Sequence, residues 1–232
     1  MTTLLIATRN GHKVQEIRQI LGEKFSYLTL NNFPAAPIVA ESAPTFDTNA
    51  MKKAFTLAWW LSENSQLIRA KIVGGKSRFY VLADDSGLEV DALNGAPGVY
   101  SARFAAMDVG GAIGNSPDSA NNAKLLRVME SFPEKKRGAR FRCVLALTRV
   151  DYSEKTDEIL PPVGQQTELF EGVCEGRIAL SPSGRRGFGY DPLFIPTGHQ
   201  ESFAELGDEV KNKLSHRAKA LQKLSKYLSA AS

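Results

Sequence analysis

The pattern of apolar and polar positions predicts strands and helices that alternate along the chain. Leu4 to Ala7 form a short apolar run typical of a buried strand, and apolar residues recur at helical spacing from Lys13 to Leu21. Further helices are predicted over 47–61, 119–129 and 209–228, and further strands over 140–147 and 169–178. The last two strands favour an antiparallel hairpin, so we predict an α/β fold in which helices flank a central mixed sheet.

The segment from Phe79 to Leu88 carries the strongest functional signal. An apolar run rich in β-formers is followed by Asp84-Asp85 and then by a serine and a glycine. We predict that the strand ends at these two acids and delivers at least one carboxylate to the carboxyl edge of the sheet, where open α/β folds bind ligands. An Asx turn capped by one aspartate is the alternative.

Three further segments in the N-terminal part could carry chemistry. Thr8 to Lys13 form a polar turn whose backbone amides, with Lys13, are predicted to face outward at a helix N-terminus, where phosphate binds; a plain Asn-Gly turn is the alternative. Glu41 is the one charge in a segment rich in proline and alanine, and is either a solvated acid or a ligand. Lys53 lies off the apolar stripe of its helix, so a solvated lysine is its default interpretation.

Two segments in the C-terminal part are also candidates. Gly187 to Asp191 place two aromatic residues between glycines, so the backbone could approach a planar ligand and Phe188 could stack on a base; an aromatic plug in the core is the alternative. Lys211, His216 and Arg217 form a group of hydrogen-bond donors on the last predicted helix, although an ordinary basic helix face would have the same residues.

Composition limits the classes of function. The 232 residues are 43% hydrophobic and 23% charged, as in a globular protein, and we predict one domain over 1–232. No apolar run approaches the roughly 18 residues of a membrane span, and the N-terminus does not resemble a signal peptide, so we predict no membrane partner and a cytoplasmic location. Cys143 and Cys174 are isolated in predicted strands, which favours core thiols over a disulfide or a zinc site.

The charge balance is mildly basic. There are 29 basic against 25 acidic residues, a net charge of +4, with no arginine-rich arm or repeated aromatic platform. A phosphorylated small molecule suits this balance as well as nucleic acid does. We predict no nucleic-acid partner, because clustered carboxylates would repel a phosphate backbone unless a metal intervened; a non-catalytic nucleic-acid-binding module stays as the rival.

Five segments together resemble the inosine triphosphate pyrophosphatase family of house-cleaning nucleoside triphosphate pyrophosphatases. They are TRNGHK, TFDTNAMKKA, LADDSGLEVDALNGAPGVYSARF, GFGYDPLF and KNKLSHRAKAL, in the family's order and spanning nearly the whole chain. The resemblance implies hydrolysis of ITP, dITP and XTP to the monophosphate and pyrophosphate with Mg²⁺, on an elongated two-lobed α/β fold that is usually a homodimer.

The resemblance also assigns roles to residues at the matching positions. Phosphate and sugar binding would fall to Thr8, Arg9, Asn10, Gly11, His12, Lys13 and Lys53, and Mg²⁺ binding to Glu41 and Asp85. Asp85 would be the proton acceptor, and Ser86, Phe188, Gly189, Tyr190, Asp191, Lys211, His216 and Arg217 would complete the nucleotide site. Arg9 and Arg185-Arg186 depart from the family pattern and add positive charge near the expected phosphate and base sites.

General chemistry agrees with these roles. Mg²⁺ prefers oxygen ligands and commonly uses one or two carboxylates plus substrate phosphates. Lysines can neutralise the charge that develops during displacement at phosphorus, and Asp84 or Asp85 could orient or deprotonate the attacking water. Donors from His216 and Arg217 would accept the 6-oxo group of hypoxanthine and xanthine and disfavour the 6-amino group of adenine. A related pyrophosphatase for modified pyrimidine triphosphates is the rival within this class.

Overall fold

The computed structural model describes residues 2–68, 78–109, 114–153, 155, 158–162 and 167–230. The strands in these ranges are β1 Thr2–Ile6, β2 Phe25–Thr29, β3 Phe79–Val90, β4 Gly138–Val150, β5 Tyr152–Ser153, β6 Glu158–Ile159, β7 Thr167–Ile178 and β8 Phe194–Pro196. The α-helices are α1 Gly11–Leu21, α2 Phe46–Glu63, α3 Asp118–Val128, α4 Phe203–Leu214 and α5 His216–Ala230. Short 3-10 turns join several of these elements.

Six of the strands form one sheet in the order β2, β1, β3, β4, β7, β8. Strand β1 pairs in parallel with β2 and β3, whereas β7 and β8 are antiparallel. The sheet is therefore mixed, which confirms the predicted α/β class, and the two strands predicted as a hairpin, β4 and β7, are neighbours in it. Strands β5 and β6 form a separate antiparallel ribbon in the part of the chain that joins β4 to β7.

The chain divides into two compact units. Unit 1 comprises Met1–Asp85, Val144–Phe170 and Leu221–Ser232, and unit 2 comprises Ser86–Cys143 and Glu171–Ala220. The boundary in β3 falls between Asp85 and Ser86, directly after the acidic pair.

The core of unit 1 follows the predicted apolar stripes. Leu4 to Ile6 of β1 are fully buried, and Thr45 caps α2 by accepting a hydrogen bond from the Thr48 amide. The predicted stripe of α2 is almost completely buried, namely Phe46, Ala50, Ala54, Leu57, Ala58 and Leu61. Because this face is apolar over its whole length, the buried side of the helix is fixed, and with it the directions of the polar residues beside the stripe.

The core of unit 2 is aromatic. Phe194 packs against Phe141 and Phe203, with ring centroids 4.6 Å and 5.4 Å away. Arg137 is buried beside this core, and its guanidinium donates to backbone carbonyls that include those of Met129 and Ile178. These bonds satisfy a buried cation without a carboxylate and tie the end of α3 to the end of β7.

Three boundaries differ from the sequence predictions. Strand β3 does not end at Asp84-Asp85 but continues to Val90. The helix predicted from Lys13 begins at Gly11, because Asn10 is its N-cap. The helix predicted over 209–228 is wrong as a single element, since Ser215 separates α4 from α5 with an extended backbone at φ −64° and ψ 159°.

The structure also bears on the predictions for the two cysteines, for membrane-spanning helices and for three long segments. Cys143 and Cys174 are buried free thiols, as predicted. In the described ranges no helix is both long and apolar enough to cross a membrane. The sequence also predicts long excursions over 63–78, 107–118 and 151–166, and residues 69–77, 110–113, 154, 156–157 and 163–166 of these segments lie outside the described residues.

Candidate active site

The two aspartates of β3 lie at the carboxyl end of a parallel strand pair. Strand β1 ends at Ile6, which pairs with Leu82, and β3 continues past that point to Asp84 and Asp85. Both aspartates are buried, with 3% and 5% of their surface exposed. The predicted strand end was wrong, but the predicted location at a carboxyl edge is right relative to β1, because β1 is the shorter strand.

Lys13 reaches this edge from α1. Its Nζ forms a hydrogen-bonded ion pair with Oδ1 of Asp84, whose side chain is almost fully buried. The backbone amides predicted to face a phosphate are already used, since the Asn10 side chain accepts hydrogen bonds from the His12 and Lys13 amides. Thr8 Oγ1 in turn accepts from the Asn10 amide. The main group that this segment can offer to a phosphate is therefore the cationic side chain of Lys13 and not the backbone amides of the turn.

Lys53 lies among carboxylate and carbonyl oxygens. Its Nζ is 2.7 Å from Glu41 Oε1 and 3.9 Å from Asp85 Oδ1, and it donates a hydrogen bond to the backbone oxygen of Asp84. Lys53 is buried, with 7% of its surface exposed, so the default interpretation as a solvated lysine is wrong. Glu41 is thus part of this group of charges and not a remote loop acid.

Sequence reasoning missed the residue that holds the loop bearing Glu41. The buried side chain of Asn49 accepts from the Ala43 amide at 2.9 Å and donates to the Ala43 carbonyl at 3.2 Å. On the same helix, Lys52 donates to the Ala40 carbonyl. Asn49, Lys52 and Lys53 are spaced three and four residues apart, the spacing of one helix face, and that spacing is the signal that could have identified them.

Asp85 is an acid with a raised pKa. Burial raises the pKa of Asp85 to about 6, against the opposing attraction of Lys53, and the nearby Glu41 carboxylate raises it further. Its Oδ2 is buried and has no hydrogen-bond partner among the described residues. A buried carboxylate oxygen without a donor is costly, so it is a candidate for a metal ligand or for proton transfer. Lys13, Glu41, Lys53, Asp84 and Asp85 are called the carboxylate cluster below.

The donor atoms of this cluster fit a hard cation. Glu41 and Asp85 offer only oxygens, and Asp85 Oδ2 lacks another partner in the described part of the chain. Among the described residues, there is no group of three or more His, Cys, Asp or Glu side chains that could hold a metal ion. Two carboxylates without such a cage are typical of Mg²⁺, which keeps waters and takes substrate oxygens, and untypical of structural zinc.

In unit 2, the loop Gly187–Asp191 is organised by its own aspartate. Asp191 Oδ2 accepts from the Phe188 amide at 2.8 Å and from Lys211 Nζ at 2.6 Å. Gly187 has φ 75°, and an added Cβ would collide with the Asp191 carboxylate, so only glycine fits there. Lys211 Nζ also lies 4.4 Å from the centre of the Phe188 ring. Phe188, Asp191 and Lys211, which the family resemblance assigns to the nucleotide site, therefore lie close together within this unit.

The helix break at Ser215 determines where His216 and Arg217 lie. Ser215 Oγ accepts a hydrogen bond from the Ala218 amide, as an N-cap of α5, so His216 and Arg217 form the first turn of that helix. Arg217 donates to Ser86 Oγ at 2.9 Å. The His216 ring stacks on Phe141, with centroids 4.8 Å apart. Ser86, Phe188, Asp191, Lys211 and Arg217 are called the Phe188 cluster below.

The arginines that depart from the family pattern have local contacts. Arg9 is exposed and donates to the Ala36 carbonyl at 3.2 Å. Arg186 is also exposed, and its side chain lies against Gly207, where a Cβ would meet its Nη1 at 2.6 Å. Arg185 is exposed as well. Arg9 and Arg186 therefore pack on neighbouring backbone.

The chain is similar to known proteins over nearly its whole length. The model of the Ham1 family matches residues 4–227. The dITP/XTP pyrophosphatase of Geobacter sulfurreducens is 43% identical over 229 residues, covering 98% of this chain and 97% of the relative. That of Desulforamulus reducens is 42% identical over 226 residues, covering 97% and 94%. A HAM1 protein from Coxiella burnetii has a similar structure, with a TM-score of 0.75, 33% identity and coverage of 99% and 100%. The chain therefore belongs to the Ham1 family.

Proposed function

We propose that this protein hydrolyses deaminated purine nucleoside triphosphates, ITP, dITP and XTP, to the monophosphate and pyrophosphate. The observation that carries the proposal is the carboxylate cluster, in which a buried aspartate with a raised pKa lies beside two lysines. Phosphoryl chemistry needs this combination of cations for the phosphates and an acid for the metal or the water. The activity named for the dITP/XTP pyrophosphatases that resemble this chain supports the same assignment.

We assign Glu41 and Asp85 as the ligands of Mg²⁺. When bound, Mg²⁺ supplies positive charge to the phosphate oxygens and offsets the charge that develops at the reacting phosphorus. Support comes from the all-oxygen donors and from Asp85 Oδ2, which lacks a hydrogen-bond partner among the residues that the structure describes. Lys53 Nζ, close to both carboxylates, limits the net negative charge of the pair.

Asp85 is also the proposed proton acceptor for the attacking water. A general base is most efficient when its pKa lies near the working pH, and burial raises the pKa of Asp85 to about 6. In the metal-free protein the carboxylate is therefore mostly ionised at neutral pH and still basic enough to accept a proton, and a bound cation would favour the ionised form further. Asp84 has a different role in this scheme, because its Oδ1 is paired with Lys13 and its backbone oxygen accepts from Lys53. It orients the two lysines.

Lys13 and Lys53 are the proposed cationic partners of the triphosphate. Each now neutralises a carboxylate, so their charges are held at the acidic edge of β3 before a phosphate arrives. Preorganised charge costs little reorganisation during the reaction, which is why such lysines stabilise a transition state more than solvated ones do. Thr8, Arg9, Asn10, Gly11 and His12 are assigned to the phosphate and sugar on the family resemblance.

The Phe188 cluster is the proposed base-binding element. Phe188 offers a partly exposed ring, and Lys211 and Arg217 offer cationic donors within 4.4 Å and 5.9 Å of its centre. Donors suit the 6-oxo group of hypoxanthine and xanthine and disfavour the 6-amino group of adenine. His216, Gly189 and Tyr190 complete the set by resemblance. ATP is therefore expected to be a poor substrate.

The proposal is tested by offering ITP, XTP, dITP, GTP, ATP and a modified pyrimidine triphosphate with Mg²⁺ and identifying the products. The expected result is a nucleoside monophosphate and pyrophosphate from ITP, XTP and dITP, with slow turnover of ATP. Release of orthophosphate in place of pyrophosphate would overturn the mechanism, and equal turnover of ATP would overturn the base assignment. Preference for the pyrimidine substrate would favour the rival within this class.

The homodimer and the cytoplasmic location implied at the sequence level stay predictions. Light scattering of the purified protein tests the first, and a fluorescent fusion expressed in the native host tests the second. The nucleic-acid-binding rival predicts tight, strongly salt-dependent binding to DNA or RNA without Mg²⁺-dependent hydrolysis.

A further inference from the structure

Helix α3 of unit 2 forms hydrogen bonds with Gly189, the residue that follows Phe188. Asp118 Oδ2, in the first turn of α3, accepts a hydrogen bond from the Gly189 amide at 2.6 Å. Asn122 lies one turn later on the same face, and its Nδ2 donates to the Gly189 carbonyl at 3.0 Å. Both backbone polar groups of Gly189 are thus bound by side chains from a single helix face.

The two bonds add to those made by the loop itself. The Phe188 amide donates to Asp191 Oδ2, and the Asp191 amide donates to the Phe188 carbonyl at 3.3 Å. The amide and carbonyl groups of Phe188 and of Gly189 are therefore all hydrogen-bonded, two by Asp191 and two by α3. Gly189 has φ 63°, a conformation that a glycine leaves easily when such bonds are removed.

Neither helix residue belongs to the Phe188 cluster or to the residues assigned by resemblance. Asp118 is exposed, yet its carboxylate receives a short charge-assisted bond from a backbone amide. Asn122 Oδ1 is buried and has no hydrogen-bond partner among the described residues, a cost that a purely structural position would not need to carry. Asn121, the adjacent residue, faces another way and bonds to the Ala105 amide and the Ala102 carbonyl.

We propose that Asp118 and Asn122 are positioning residues for base recognition, which fix the Gly189 peptides and thereby the place of the Phe188 ring. This inference rests on the proposed function and extends it to α3. The two residues act through the loop, so they contribute to binding of any purine nucleotide through its base and contribute nothing to binding of its phosphates.

The test compares a ligand that carries the base with one that lacks it. Inosine monophosphate and inorganic pyrophosphate are titrated calorimetrically into the wild type, Asp118→Ala and Asn122→Asp, each with Mg²⁺, and ITP kinetics are measured beside them. Both variants should raise the KM for ITP and the Kd for inosine monophosphate roughly tenfold, as expected for a lost hydrogen bond, with kcat within about twofold. The Kd for pyrophosphate should not change.

Two further variants separate positioning from general damage. Asp118→Asn keeps an oxygen that can accept from the Gly189 amide, so its affinity for inosine monophosphate should be close to that of the wild type. Asn122→Asp, by contrast, keeps the shape of asparagine but has no donor for the Gly189 carbonyl. Asn121→Ala removes bonds of the same helix to a different loop, and should lower stability without changing the ratio of the two Kd values. Thermal unfolding is recorded for every variant.

Equal weakening of both ligands, or unchanged affinity for inosine monophosphate in Asp118→Ala and Asn122→Asp, would overturn the positioning role. If Asp118→Ala loses its cooperative unfolding, Asn122→Asp supplies the same comparison. A wild type that releases no pyrophosphate from ITP would overturn the proposed function itself, whereas a wild type that hydrolyses ITP beside variants with an unchanged KM overturns the role of α3 alone.

Discussion

Lys53 lies near Asp85 in unit 1, and Lys211 pairs with Asp191 in unit 2. The two aspartates differ in what else their carboxylates bind. In the Phe188 cluster, Asp191 Oδ2 accepts from both the Phe188 amide and Lys211 Nζ, and both side chains of the pair are at most 4% exposed. In the carboxylate cluster, Asp85 Oδ1 is 3.9 Å from Lys53 Nζ, and Oδ2 has no hydrogen-bond partner in the described ranges. A saturated carboxylate fixes the backbone around it, whereas an unsaturated one is available for chemistry.

The clusters also differ in the balance of charge. By their definitions, the carboxylate cluster contains three acids and two lysines, and the Phe188 cluster contains one acid and two cations. An excess of acid favours a bound cation, and an excess of donors favours the carbonyl oxygens of an oxo-purine. Under the proposed function, the same ion-pair chemistry would serve two different kinds of ligand recognition, and each aspartate should respond differently to the same substitution.

The largest effect is expected from Asp85→Asn. The amide cannot accept the proton of the attacking water, so kcat for ITP should fall roughly 10²- to 10⁴-fold while the thermal unfolding temperature is maintained or raised. Pyrophosphate release measures the first effect and calorimetry the second. Asp191→Asn is the matched change in the other unit, and there the main loss should be in stability. Turnover within tenfold of the wild type would contradict the role of Asp85.

The second prediction compares the two lysines. Lys211→Met leaves the Asp191 carboxylate buried without its cation and should lower the free energy of unfolding by about 3–5 kcal/mol. Lys53→Met should cost about 1 kcal/mol, because the carboxylate closest to its Nζ, that of Glu41, is 32% exposed and can be solvated when the lysine is removed. Urea unfolding at neutral pH measures both, with the exposed neighbour Lys52→Met as the control. Equal losses at the two lysines would contradict the difference between the clusters.

How far the sequence predicts these clusters depends on which interactions are local. The apolar stripe of α2, the strand through Asp84 and the mixed sheet follow from residue spacing, because burial of one face is a local pattern. The burial of Lys53 does not, since it depends on Glu41, a residue 12 positions earlier in another segment. Periodicity assigns such a lysine to solvent because it contains no information about distant partners.

Helix continuity is a second case. The apolar residues from 209 to 228 keep helical spacing across Ser215, so the pattern predicts one helix. The break becomes intelligible only through hydrogen bonds, because Ser215 Oγ caps α5 while its amide donates to the Lys211 carbonyl at the end of α4. Serine is favoured at N-caps, but that preference alone does not show which serine ends a helix. Likewise, β3 continues past its acids because pairing with other strands outweighs the turn preference of Asp-Ser-Gly.

The third prediction concerns pH. The pKa of Asp85 is about 6 in the folded protein, against an ordinary value of 3.8, so the folded state binds the proton more tightly. The stabilising contribution is therefore complete below pH 3.8 and is lost as pH rises to 6. The unfolding free energy of wild type minus that of Asp85→Asn should fall by about 3 kcal/mol over this range, since each pKa unit corresponds to about 1.4 kcal/mol. Urea titrations in chelator from pH 4 to pH 8 measure the difference, and a flat difference would contradict the raised pKa.

The smallest effect is expected at the helix caps that precede the two clusters. Ser215→Ala removes the acceptor of the Ala218 amide, and Thr45→Ala removes that of the Thr48 amide, so each should cost about 1 kcal/mol of unfolding free energy. Only Ser215→Ala should also weaken inosine monophosphate binding, because His216 and Arg217 directly follow that cap, whereas Lys53 lies two turns beyond Thr45. Ser215→Asn keeps an acceptor and should restore both properties. If both alanine variants weaken inosine monophosphate binding equally, cap geometry does not distinguish the two units.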